Sequence, residues 1–96
     1  MRHSLRIPES VQNLIRHLSP EVKKRIRSAL DEIRLDPEAG KPLSEELEGF
    51  RSYKAGQLRI VYRRSSGLVE ITNVGPRRTI YRMITLEIKH QKEKNF

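Results

Sequence analysis

Apolar residues in this chain recur with two different periods. Val11, Leu14, Ile15 and Leu18 fall at i, i+3, i+4 and i+7, the spacing of one face of an amphipathic helix, which predicts a first helix from just after Pro8 to near Leu18. Ser19-Pro20-Glu21 then supplies a capping hydroxyl, a proline suited to the first helical position and an acid near the positive end of the helix dipole. A second helix follows, with Val22, Ile26, Ala29, Leu30 and Ile33 as its apolar stripe, and it stops at Asp36-Pro37 because a residue before proline is pushed out of the helical region. With so short a connection the two helices form a hairpin.

The other period is two. Residues 3–7 alternate polar and apolar and stop at Pro8, as a short strand would. Three further strands are predicted at 50–55, 58–64 and 68–74, joined by Ala55-Gly56-Gln57 and Ser65-Ser66-Gly67 as tight antiparallel hairpins. The intervening segment 36–49 has two prolines, two glycines and five acids and reads as a loop with one helical turn near 44–47. After Gly75-Pro76, Ile80, Ile84 and Ile88, with Met83 beside them, predict a last helix from about Thr79. Residues 89–96 form a polar tail. The expectation is one α+β domain over residues 1–96, with an N-terminal strand, a two-helix hairpin, a three-stranded antiparallel meander and a C-terminal helix. The helices pack on one face of a small, mainly antiparallel sheet, which leaves the opposite face free for binding.

Alternation along the middle strand puts Leu58, Ile60 and Tyr62 on the core face and Arg59, Val61 and Arg63 on the other. On the strand before it, Phe50, Ser52 and Lys54 share one face and Arg51, Tyr53 and Ala55 the other. Whether Lys54 or Arg51 accompanies Arg59 depends on a register that a one-residue slip would reverse.

Charge changes the picture most. The net charge is +8, yet residues 1–50 carry nine Lys+Arg against nine Asp+Glu, whereas residues 51–96 carry eleven against three. So segregated a positive surface attracts polyanions, nucleic acid first among them. Arg59, with Lys54 or Arg51 and the pair Arg77-Arg78, suits a phosphate cradle, because guanidinium groups bind phosphate oxygens bidentately and stabilise charge that builds up at phosphorus. A solvated cationic face explains the same residues equally well. Tyr81 can stack on a base or pass a proton, although a tyrosine at helical spacing also serves as packing.

There is no cysteine, which removes disulfides, thiolate nucleophiles and Cys-based zinc sites and fits a reducing compartment. His3, His17 and His90 form no pair at metal-ligand spacing, and no paired-carboxylate metal site is readable, so neither a metal nor a cofactor is expected. No run approaches the ~18 apolar residues of a membrane span, and no secretory h-region follows the N-terminus. A cytoplasmic protein is expected.

The stretches Leu47-Glu48-Gly49, Tyr53-Lys54-Ala55-Gly56, Arg59-Ile60-Val61-Tyr62 and Val74-Gly75-Pro76-Arg77-Arg78, with Tyr81 following, resemble in their order and spacing the RelE/ParE superfamily of type II toxin-antitoxin systems. The resemblance implies a RelE-like toxin that enters the ribosome and cuts mRNA without a metal, through attack of a ribose 2′-hydroxyl on its own 3′ phosphate. Carried over by position, Arg59 and Arg77 stabilise the phosphate, Lys54 assists the nucleophile or holds the backbone, and Tyr81 is the candidate base or stacking residue. Arg51, Arg63, Arg78 and Arg82 are the expected RNA contacts. The implied partners are mRNA, the ribosome and a cognate acidic antitoxin that folds on binding. The superfamily also implies two alternatives, a ParE-like non-enzymatic inhibitor of DNA gyrase and a degenerate relative that only binds its antitoxin.

Overall fold

The computed structural model describes the backbone of residues 3–94 and the side chains of residues 3–90. In chain order the elements are β1 (Ser4–Arg6), α1 (Glu9–Arg16), α2 (Pro20–Leu35), β2 (Lys41–Pro42), a 3-10 turn (Glu45–Leu47), β3 (Phe50–Ala55), β4 (Leu58–Ser65), β5 (Leu68–Pro76) and α3 (Arg77–Lys94). One five-stranded sheet runs in the order β1-β5-β4-β3-β2, with β1 parallel to β5 and every other pair antiparallel.

Local chemistry explains most boundaries. The Ser19 hydroxyl accepts the Val22 N–H at 3.5 Å, at the limit of a capping bond, and Pro20 takes the first turn of α2. Both hairpins turn on a left-handed glycine, Gly56 at φ 64° and Gly67 at φ 69°, a conformation that a side chain would strain. The helix expected from about Thr79 begins two residues earlier, directly at the end of β5, so Arg77 and Arg78 belong to its first turn. It also runs on through Lys94, where a polar tail was expected from residue 89; residues 95 and 96 lie outside the described residues. No helix among the described residues is long and apolar enough to cross a membrane.

The α1–α2 hairpin covers one sheet face, where Val11, Ile26, Ala29, Leu30 and Ile33 meet Ala55, Ile60, Tyr62, Val69, Ile71 and Val74. A bulge helps to build this face. Val61 stands opposite Asn73 while Tyr62 stands opposite Ile71, so Thr72 is an extra residue on β5, and both Ile71 and Val74 are thereby turned into the same core.

The opposite face is not free, contrary to the expectation of helices on one side only. Val61, fully buried, points away from the hairpin, and α3 lies over it with Ile80 and Ile84; Leu43, Leu47, Phe50, Tyr81 and Ile88 complete this second, smaller cluster. The reason is the apolar residue between two arginines on β4, which an uncovered face would leave in water at a cost of about 1.5–3 kcal/mol.

Segment 36–49 is anchored from below. Tyr62 has no exposed surface; its hydroxyl donates to the Pro37 carbonyl at 2.7 Å and accepts the Gly40 N–H at 2.9 Å. Burial pushes the Tyr62 phenol above its ordinary pKa, only partly offset by the Gly40 N–H and by the nearby Arg51 guanidinium. A Cβ on Gly40 would lie 2.5 Å from the Tyr62 hydroxyl oxygen, so only glycine fits. Held there, the chain that reads as a loop forms β2, with Lys41 opposite Ser52 and Pro42 opposite Arg51.

Candidate functional site

Strand register decides which cations can act together. β3 and β4 pair with Lys54 opposite Arg59 and Ser52 opposite Val61, so Phe50, Ser52 and Lys54 share the face of Arg59, Val61 and Arg63. On its other side Arg59 stands opposite Gly75, and two residues later α3 begins. Arg77 in the first turn and Tyr81 one turn on therefore lie on one flank of the helix beside Arg59.

Lys41, Leu43, Ser52, Arg59, Arg77 and Tyr81 line a single cleft of about 400 Å³ where the start of α3, the floor of the sheet and β2 meet. Three of its lining residues are cations and none is an acid. The ion pairs found among the described residues, Arg34–Asp31, Arg63–Glu70, Arg64–Glu38 and Lys89–Glu46, involve none of the three. The Tyr81 hydroxyl reaches 2.8 Å from the hydroxyl of Ser52 on the cleft floor. Such a site offers convergent positive charge and one phenol, which suits a phosphodiester with a proton to be moved.

Of the residues singled out from sequence, Arg59, Arg77 and Tyr81 are brought together. Lys54 faces the same way as Arg59, but its side chain is exposed and lines a different groove, with Lys24, Arg25, Glu32 and Tyr53 beside α2. In that groove Tyr53 donates a hydrogen bond to Glu32, which raises the phenol's pKa. Arg51 lies on the hairpin side of the sheet, away from Arg59, where its guanidinium donates to the carbonyls of Gly40 at 2.8 Å and Glu38 at 3.2 Å; it fastens segment 36–49 instead of facing the cleft. Arg63 pairs with Glu70 at 3.5 Å and sits 5.9 Å from the Phe50 ring centre. Arg78 and Arg82 are exposed, one position past Arg77 and Tyr81 and so about 100° around the helix from them.

Lys41 was not anticipated. Its signal in the sequence is faint: a Lys-Pro-Leu run after a glycine, in which the proline is tolerable only on an edge strand. None of the three histidines lines the cleft. Among the described residues no group of three or more His, Asp or Glu is placed to hold a metal ion.

Comparison with known proteins places this geometry. The toxin-antitoxin complex RelBE2 of Mycobacterium tuberculosis is similar at 26% identity, with 80% of this chain and 100% of that chain covered and a TM-score of 0.71. A mutant of the Escherichia coli toxin RelE in the free state matches at 20% identity over 91% of this chain and 97% of that one, with a TM-score of 0.72. The intact E. coli RelBE toxin-antitoxin complex matches at 22% identity, covering 77% and 95% of the two chains with a TM-score of 0.65. No curated protein matches the sequence. A family model described as the ParE toxin of the type II toxin-antitoxin system parDE matches residues 6–81, from the end of β1 to the tyrosine of the cleft. With that match over most of its length and a RelE-like fold around it, the chain belongs to the RelE/ParE superfamily and is a toxin of a type II toxin-antitoxin system.

Proposed function

We propose that this toxin inhibits translation in the cytoplasm as a ribosome-dependent endoribonuclease that cuts mRNA. The observation that carries the reading is the convergence of Arg59, Arg77 and Tyr81 on one cleft with no carboxylate in its lining. In the reaction the 2′ oxygen bonds to phosphorus as its proton leaves, and the bond from phosphorus to the 5′ oxygen breaks as that oxygen gains a proton. The products are a 2′,3′-cyclic phosphate and a free 5′-hydroxyl, with no net release of protons and no water consumed in this step. Charge accumulates on the non-bridging oxygens midway, where Arg59 and Arg77 stabilise it more than they stabilise the starting diester. Tyr81 carries a proton to or from one of the bridging oxygens.

Incubating the purified toxin with translating ribosomes should give mRNA fragments ending in a 2′,3′-cyclic phosphate. Arg59→Ala and Arg77→Ala should each lower the cleavage rate by about 10²–10³-fold, the usual cost of removing one preorganised stabiliser of transition-state charge. Intact mRNA with the unaltered toxin would exclude the reading. A second reading, a non-enzymatic inhibitor of DNA gyrase, is favoured by the ParE identity of the matching family model. It predicts arrested supercoiling in a gyrase assay and no cut RNA.

The partner that restrains the toxin is a cognate antitoxin, as in the complexes it resembles. For a chain of net charge +8, an acidic segment that folds on binding is the fitting chemistry. Co-expression with the neighbouring small acidic reading frame should yield a co-purifying complex, and its absence would count against this assignment.

A further inference from the structure

Apart from the Tyr62 phenol, Ser52 is the one polar or charged side chain in the buried class among the described residues, at 8% exposure. A hydroxyl taken out of water needs a partner, because leaving it unpaired is costly. Its partner is the Tyr81 hydroxyl at 2.8 Å, across 29 positions of sequence and from β3 to α3. Ser52 also sits at the centre of the site's floor, opposite Lys41 on one neighbouring strand and Val61 on the other. Packing alone would be met by alanine, which is smaller and brings no buried polar atom. The hydroxyl therefore has work that packing does not explain.

We propose that Ser52 is a positioning residue that holds the Tyr81 phenol oxygen in the cleft beside Arg59 and Arg77. A serine hydroxyl both donates and accepts. When Ser52 donates, the Tyr81 proton is free to point into the cleft; when Tyr81 donates, its lone pairs face the cleft instead. One contact thus fixes the position of the phenol oxygen while leaving either direction of proton transfer open. The kinetic consequence rests on the cleavage reading above; the pairing itself does not.

The test uses the full chain in two measurements. In ribosome-dependent cleavage, Ser52→Ala should lower the rate at saturating ribosomes by about three- to tenfold, the net worth of one hydrogen bond, with little change in KM. In a Tyr81→Phe background the same substitution should cost nothing further, because Ser52 acts only through the phenol; an equal loss in both backgrounds overturns the proposal. Separately, NMR of protein labelled at the tyrosine Cζ carbon, assigned with Tyr→Phe variants, should show the Tyr81 resonance moving in Ser52→Ala while those of Tyr53 and Tyr62 stay in place. A Tyr81 resonance that does not move overturns the proposal whether or not RNA is cut. Intact mRNA with the unaltered toxin overturns the cleavage reading, and the resonance then decides the Ser52–Tyr81 pairing by itself.

Discussion

The two faces of the sheet differ in how completely they are closed. Under the α1–α2 hairpin, Ile26, Ile33, Ile60, Tyr62 and Val69 lose all contact with solvent, and the Tyr62 phenol has both its hydrogen bonds made within the protein. Under α3 the buried apolar side chains among the described residues are Val61, Ile80 and Ile84, the surrounding apolar residues are half-covered, and Met83 and Leu86 stay outside at 52% and 57% exposure. The residues of β4 alternate between these fates, Ile60 into the closed face and Val61 into the partial one. A small domain has little apolar area to spare. Here most of it seals one face, and the thinner seal on the other leaves room for a polar cleft.

The largest test of that contrast is a pair of cavity mutations. Ile60→Ala should cost about 2–5 kcal/mol in denaturant unfolding, since its neighbours are close-packed on every side. It should leave the activity per folded molecule unchanged. Ile84→Ala should sit at the lower end of the same range and reduce activity per folded molecule, because it loosens the helix that carries Arg77 and Tyr81. Equal activity in the two variants would break the contrast.

Tyr62→Phe sharpens it further. Removing the hydroxyl leaves the Pro37 carbonyl and Gly40 N–H without that partner and should destabilise the fold by about 1–3 kcal/mol. Its pH dependence has a defined sign. The Tyr62 pKa is raised in the folded state, so its stabilising protonated form is fully present below the unfolded value near pH 10 and that contribution is lost as pH rises through the folded value. Chemical denaturation across that alkaline range should show a shallower fall in stability for Tyr62→Phe than for the unaltered toxin.

The smallest effect concerns the two lysines. Lys41→Ala, which removes a cation from the cleft, should weaken RNA cleavage several-fold by loss of about 1 kcal/mol of phosphate attraction at a solvent-exposed site. Lys54→Ala, on the α2 side, should weaken it less. The reverse order, read from cleavage rates at low ionic strength, would return Lys54 to the site.

Much of this architecture is legible along the chain. Glycine turns and the Ser19-Pro20 start are short-range signals, and the helix hairpin and meander follow from them. Arg59 and Arg77 follow from strand alternation and from the superfamily pattern around them. What could not be read depends on contacts far apart in sequence. Lys54 and Arg51 exchange faces with a single step of register, and only the pairing of β3 with β4 decides between them. Lys41 joins the cleft because Tyr62, 22 positions away from Gly40, pins the segment before it. The covering of the second face had a local clue, Val61 between Arg59 and charged Arg63, but its partners on α3 lie beyond the β4–β5 hairpin.

The parallel pairing of β1 with β5 bears on the order in which the molecule can assemble. Ser4 and Leu68 are neighbours in the sheet, so β1, the first of the five strands, waits for β5, the last. The β3–β4–β5 hairpins are local and can form early, while β1 closes late because long-range pairing must first overcome loop-closure entropy. Arg77 and Tyr81 come later still, on the helix that follows β5. Until the start of α3 has docked beside β4 the chain has no assembled cleft, so the site is among the last parts of the fold to form.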